Sequence, residues 1–171
     1  AMGNFRAAIE PLKLAIRLDG QNVKAYYTLG CVYENLGDST KAHSNYVKTL
    51  EVHPKNVDAL YRLGLLYQTA QDYDAAINFF KEILQIEPGK TNALLNLSHC
   101  FRKLGNTEQA VNSLETILKY NPKNSTAVHL INALRAKTTT SPPSEYISNL
   151  FNQYADKFDE SLTNKLNYQI P

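Results

Sequence analysis

The chain is poor in the residues that build disulfide or metal chemistry. Two cysteines occur, Cys31 and Cys100, with no CxxC pair and no Cys/His cluster. That leaves no disulfide framework or zinc module to read, and both thiols are expected to be free in a reducing, cytoplasmic compartment. Long apolar runs are missing as well, since no stretch approaches the roughly 18 residues that span a bilayer. A net charge of +2, with lysines and arginines dispersed and no basic run, gives no electrostatic pull on nucleic acid. His43, His53, His99 and His129 are scattered, and no Ser/His/Asp set, Gly-rich phosphate loop or carboxylate pair assembles, so no catalytic or metal site is expected. No secretory leader stands at the start, but Ala1-Met2 has the look of a cloning remnant, and the natural beginning is expected elsewhere. These gaps leave a binder of proteins or small molecules, long enough to bury a substantial core.

What is present is a repeat. The stretch NVKAYYTLGCVYENLGDSTKAHSNYVKTLEVHPK (residues 22–55) aligns without gaps on residues 56–89 and again on residues 90–123, a period of 34. Leu29-Gly30, Leu63-Gly64 and Leu97-Ser98 fall in register, followed by Tyr33, Tyr67 and Phe101. Further along stand Ala42, Ala76 and Ala110, then Tyr46, Phe80 and Leu114, then Pro54, Pro88 and Pro122. Thr49 departs from the column of Ile83 and Ile117. Each column has a physical reading. The small residues let two antiparallel helices approach, and the aromatic or leucine partners fill the space between them. Asn22, Asn56 and Asn124 are placed to cap the first helix of a unit, with Thr91 serving in the third. Asp38, Asp72 and Asn106 are placed to cap the second, and Gly37 and Gly105 suit the turn before it. The prolines end each unit.

This pattern resembles the tetratricopeptide repeat, which implies an all-α, right-handed superhelix of antiparallel helix pairs. Running the register backwards, residues 1–21 read as the second helix of a unit lacking its first, with Ala8, Leu12 and Ala15 left uncovered and Pro11 weakening the helix. Such a face is expected to recruit a neighbouring chain, which would make a homo-oligomer, or to fray. Running forwards, residues 124–137 read as a capping helix with Ala127, Val128 and Ile131 facing the third unit and Arg135 in the Tyr33/Tyr67/Phe101 column. A Thr/Ser/Pro linker, residues 138–144, follows.

In that family the first helices of successive units line a concave groove for a peptide or a neighbouring domain. The resemblance assigns to it Lys24, Tyr27, Thr28, Cys31 and Glu34, then Asp58, Tyr61, Arg62, Leu65 and Gln68, then Asn92, Leu95, Asn96, His99 and Arg102. The two-carboxylate clamp of chaperone-tail receptors is not matched, because Tyr27 and Cys31, Arg62, and Asn92 and Asn96 stand in its places. Nor is an asparagine ladder, where only Asn96 fits and Thr28 and Arg62 do not. Cys31 and His99 share a column two units apart, roughly 20 Å at typical helix spacing, too far for a shared zinc ion.

The remaining residues, 145–171, place Ile147, Leu150, Phe151, Tyr154, Phe158, Leu162 and Leu166 at helical spacing. The segment is similar to the junction into the catalytic domain of repeat-bearing bacterial methyltransferases that use S-adenosylmethionine. Leu150-Phe151, Tyr154-Ala155, Phe158-Asp159, Leu162, Leu166, Tyr168 and Pro171 fill that pattern, while Asn152 stands where the family often has Asp. The resemblance implies that Tyr154, Phe158 and Asp159 would cover a cofactor pocket whose Gly-rich turn lies beyond Pro171. No cofactor is expected in this chain itself. The alternative is an amphipathic helix capping the last repeat. The function expected is therefore a recruitment or assembly module for proteins and peptides. Its competitors are a methyltransferase whose repeats deliver substrate, and a self-association scaffold.

Overall fold

A computed structural model describes residues 2–135, with side chains from Phe5 onward. The linker and the segment 145–171, with Tyr154, Phe158 and Asp159, lie outside the described residues. Within them the chain is helical throughout: α1 (Met2–Ala7), α2 (Ile9–Leu18), α3 (Val23–Asn35), α4 (Ser39–Val52), α5 (Val57–Thr69), α6 (Tyr73–Ile86), α7 (Thr91–Lys103), α8 (Thr107–Tyr120) and α9 (Ser125–Leu134). The 34-residue period becomes three helix pairs, α3–α4, α5–α6 and α7–α8. Tight turns of a few residues fold each pair antiparallel. Each pair also packs on the next, α4 on α5 and α6 on α7, so one continuous core runs along the array.

The repeat columns are that core. Ala42, Ala76 and Ala110 are fully buried, and so are Tyr46, Phe80 and Leu114 opposite the small residues of the preceding helix. A Cβ added to Gly30 would lie 2.5 Å from Tyr46 Cε1, and one added to Gly64 would lie 2.7 Å from Phe80 Cε1. These glycines are there because an aromatic ring presses on their backbone. Thr49 is tolerated in the isoleucine column because its hydroxyl donates to the Asn45 carbonyl at 2.9 Å, leaving no orphaned group in the core.

The turns repeat as well. Gly37 and Gly105 adopt a φ of +79°, and Gln71, in the same column, is held at +63°. A side chain in that left-handed region costs about 1 kcal/mol relative to glycine. Asn22, Asn56 and Asn124 each accept the backbone N–H three residues on at 2.9 Å, and Asp38 and Asp72 do the same at 3.0 and 3.1 Å. Two expected caps differ. Thr91 is the first residue of α7, so Lys90 occupies the capping position with no side-chain bond, and Asn106 precedes α8 without one. Lys90→Asn, which restores the asparagine of the other units, is expected to raise the unfolding free energy by about 0.5–1 kcal/mol in urea melts. The exposed Lys90–Glu87 pair it removes, at 2.9 Å, offsets little of that gain.

The N-terminal reading needs correction. Residues 2–18 form two helices, broken at Ala8, rather than one. Pro11 explains the break: its ring would meet the Ala7 carbonyl in a continuous helix, whereas as third residue of α2 its missing N–H is not needed. Leu12, with Ile9 and Ile16, lies half-buried on the cluster of Leu29, Tyr33 and Tyr46 rather than uncovered, and Ala8 and Ala15 are also half-buried. The apolar residues left in solvent are Leu14 (49% exposed) and Leu18 (81%). At the other end Ala127 and Ile131 are buried against the third unit as expected, but Val128 points outward. Arg135, in the register of the aromatic column, is exposed and pairs with Glu115 at 2.5 Å.

Candidate functional site

The first helices, α3, α5 and α7, carry the residues assigned to the groove, and the structure draws many of them into pairs. On α3 the Glu34 carboxylate accepts the Tyr46 hydroxyl at 2.5 Å and meets Arg62 of α5 at 3.3 Å. Cys31 lies 3.4 Å from the same tyrosine hydroxyl, and the Tyr27 ring sits 5.8 Å from the Tyr46 ring. One unit along, Asn96 of α7 donates to the Tyr61 hydroxyl of α5 at 3.0 Å and to the Asn92 carbonyl at 2.9 Å. Gln68 accepts from the buried Cys100 thiol at 3.8 Å, and Arg102 donates to His99 Nδ1 at 3.4 Å. Lys24, Asp58, Asn92 and Arg102 are exposed, while Thr28, Leu65 and Leu95 are half-buried.

The electrostatics follow from this packing. Burial pushes Tyr46 far above the usual phenol range, aided by Cys31 and by the Glu34 carboxylate it donates to. Burial also raises Tyr27, against the pull of Arg62. Arg62 is held more firmly protonated by the Tyr27 hydroxyl and by Glu34, against its own desolvation. Burial, with Arg102 and Lys103 nearby, lowers His99, so the imidazole is neutral near pH 7 and its Nδ1 accepts the Arg102 bond. Burial lifts the Cys100 thiol to about 11 and leaves it a core residue rather than a nucleophile. Among the described residues no group of three or more His, Cys, Asp or Glu is arranged to hold a metal ion. No described helix is long and apolar enough to cross a membrane.

One recess opens on this face, between α7 and α9. It has a volume of about 370 Å³, with Leu95, Leu130 and Leu134 as apolar walls and His99 and Arg102 at its rim. Sequence reasoning missed the α9 wall because it treated residues 124–137 as a cap only. The signal was available: Leu130 falls in the column of Thr28, Arg62 and Asn96, and Ala133 in that of Cys31, Leu65 and His99. Tyr73, from a second helix, also reaches this region, with its ring 6.5 Å from His99.

The tetratricopeptide-repeat family matches residues 27–91 and 67–137, which together span more than half of the sequence. The chain belongs to the tetratricopeptide-repeat family. Solved structures agree on the fold, a right-handed superhelix of helix pairs. A crystal structure of MamA shares 20% identity over 97% of this chain and 93% of its own, with a TM-score of 0.70. A tetratricopeptide-repeat protein from Parabacteroides merdae shares 24% identity with a TM-score of 0.71, over 78% of this chain and 55% of its own. PilF of Pseudomonas aeruginosa shares 22%, with a TM-score of 0.67, over 92% and 69%. No curated protein matches the sequence. The methyltransferase-like segment lies beyond both repeat matches.

Proposed function

We propose that this repeat array is a peptide-binding recruitment module whose anchor is the α7–α9 recess. The observation that carries the reading is the recess itself: leucine walls for an apolar side chain, with the exposed Arg102 guanidinium at the rim to meet a carboxylate. Arg62 is engaged by Glu34 and Tyr61 by Asn96, so these residues shape the wall, whereas Arg102 gives one N–H to His99 and has further N–H donors for a ligand. The ligand this favours is an extended segment pairing an aliphatic or aromatic residue with Asp or Glu. We place the module in the cytoplasm on its two free thiols, Cys31 and Cys100. The methyltransferase reading, and S-adenosylmethionine with it, rests on residues 145–171 alone, and neither the groove nor the family matches add support to it.

Selection of a displayed random-peptide library on the protein tests the proposal. Enriched peptides are expected to carry the apolar–acidic pair, and Arg102→Glu is expected to weaken them at least about tenfold. Leu95→Arg, which puts a charged side chain into the recess, should abolish binding. Selected peptides that bind both variants as well as the parent would place the anchor elsewhere.

A further inference from the structure

A second recess lies outside the groove, between the N-terminal half of α4 and the C-terminal end of α5. Its volume is about 460 Å³, and its lining includes Ser39, Thr40, His43, Leu66, Tyr67 and Ala70. None of its lining residues belongs to the groove set. The repeat explains how it arises. Ser39 holds the register of Phe5 in the preceding helix pair and of Tyr73 in the following one, with Thr107 the fourth member. Tyr73 packs on the core cluster that contains Cys100 and Phe101, which are the register partners of Leu66 and Tyr67. Where the second full unit has an aromatic ring packed on this cluster, the first has only a serine.

A second departure coincides with the first. The register of His43 is otherwise aliphatic, with Ile9, Ile77 and Val111, and Ile77 is buried in the core. His43 instead places Nε2 3.0 Å from the Tyr67 hydroxyl, its ring edge-on to the tyrosine at 5.5 Å. Tyr67 in turn stacks on Phe79 at 5.4 Å with an interplanar angle of 18°. The recess thus combines apolar and aromatic walls with a histidine–phenol pair and serine and threonine hydroxyls.

We propose that this recess is a binding site for a phenol ring, occupied in trans as Tyr73 occupies the corresponding place in cis. The ring fills the position vacated at Ser39, packs over Leu66, Tyr67 and Ala70, and hydrogen-bonds through its hydroxyl to the polar lining. The source is a tyrosine side chain of a partner polypeptide or a free phenol. This site is independent of the α7–α9 groove reading.

Titration with p-cresol and with N-acetyltyrosinamide, followed by NMR of the His43 and Tyr67 rings, tests it. Saturable shifts of both rings are expected in the millimolar range. Tighter binding of the amide assigns the site to a polypeptide, and tighter binding of p-cresol to a free phenol. Ser39→Tyr, which supplies the missing ring from α4 itself, should weaken both probes at least about tenfold and raise the Tm. Should that variant fold poorly, Ala70→Phe closes the recess from the α5 side and carries the same expectation. Absence of saturable shifts up to about 10 mM, or equal shifts in the filled variants, would overturn the proposal.

Discussion

Phe80→Ala is expected to lower the unfolding free energy by about 3–5 kcal/mol, the largest stability effect anticipated for this protein. Phe80 has no solvent exposure and lies in the cluster that includes Leu60, Ala76, Ile83 and Leu97. Its ring also sits 6.0 Å from Tyr61. The cluster draws on α5, α6 and α7, so the void left by the ring is walled by helices of two units. Gly64 leaves only backbone on one side of the ring, and a backbone held in a helix cannot collapse into the space. Urea unfolding followed by circular dichroism should show the midpoint fall with little change in slope. A loss below about 1.5 kcal/mol would mean that the units slide together to close the void.

Gly64→Ser carries the second-largest effect, and its rescue is more informative than its cost. The new Cβ would meet Phe80 Cε1 at 2.7 Å and Cζ at 2.9 Å. That ring is fully enclosed and has nowhere to turn, so a loss of about 1–3 kcal/mol is expected. The third unit has already solved this problem. There Ser98 replaces the glycine and Leu114 replaces the aromatic, and both are buried. Combining Gly64→Ser with Phe80→Leu should therefore cost at least about 1 kcal/mol less than the sum of the two changes. Simple additivity in the four-variant cycle would show that the serine's penalty comes from something other than the ring.

The core was legible because it is local and repeated. Residues 34 apart share one environment, so a column such as Ala42, Ala76 and Ala110 could be read as buried from the sequence, and the turn glycines and asparagine caps follow from the chemistry of helix ends. The misreadings fall where the repeat is broken. The shift from asparagine to Lys90 left Thr91 as the apparent cap, and the break at Ala8 follows from a Pro11 that the other units do not share. Val128 was placed inward because, among the described residues, no second helix follows α9 against which its faces could be judged. The groove was legible as a set of positions but not as a set of bonds. Glu34–Arg62 and Tyr61–Asn96 join residues 28 and 35 apart. Whether such side chains meet depends on the rotation from one unit to the next, which a local pattern does not encode. The recess at Ser39 was overlooked for a related reason: a serine just after the capping Asp38 reads as an ordinary polar residue at a helix start, and its meaning emerges only beside Tyr73.

The tie from Tyr46 through Glu34 to Arg62, continued by Tyr61 to Asn96, also has a mechanical consequence. The first link joins the two helices of one unit, and Glu34–Arg62 and Tyr61–Asn96 each fasten a helix of one unit to a helix of the next, so the wall formed by α3, α5 and α7 acts as a braced beam whose curvature is set before any ligand arrives. The α7–α9 recess begins where that beam ends. A peptide seated there would close a small jaw against a fixed one and spend little of its binding energy on bending the rest of the array.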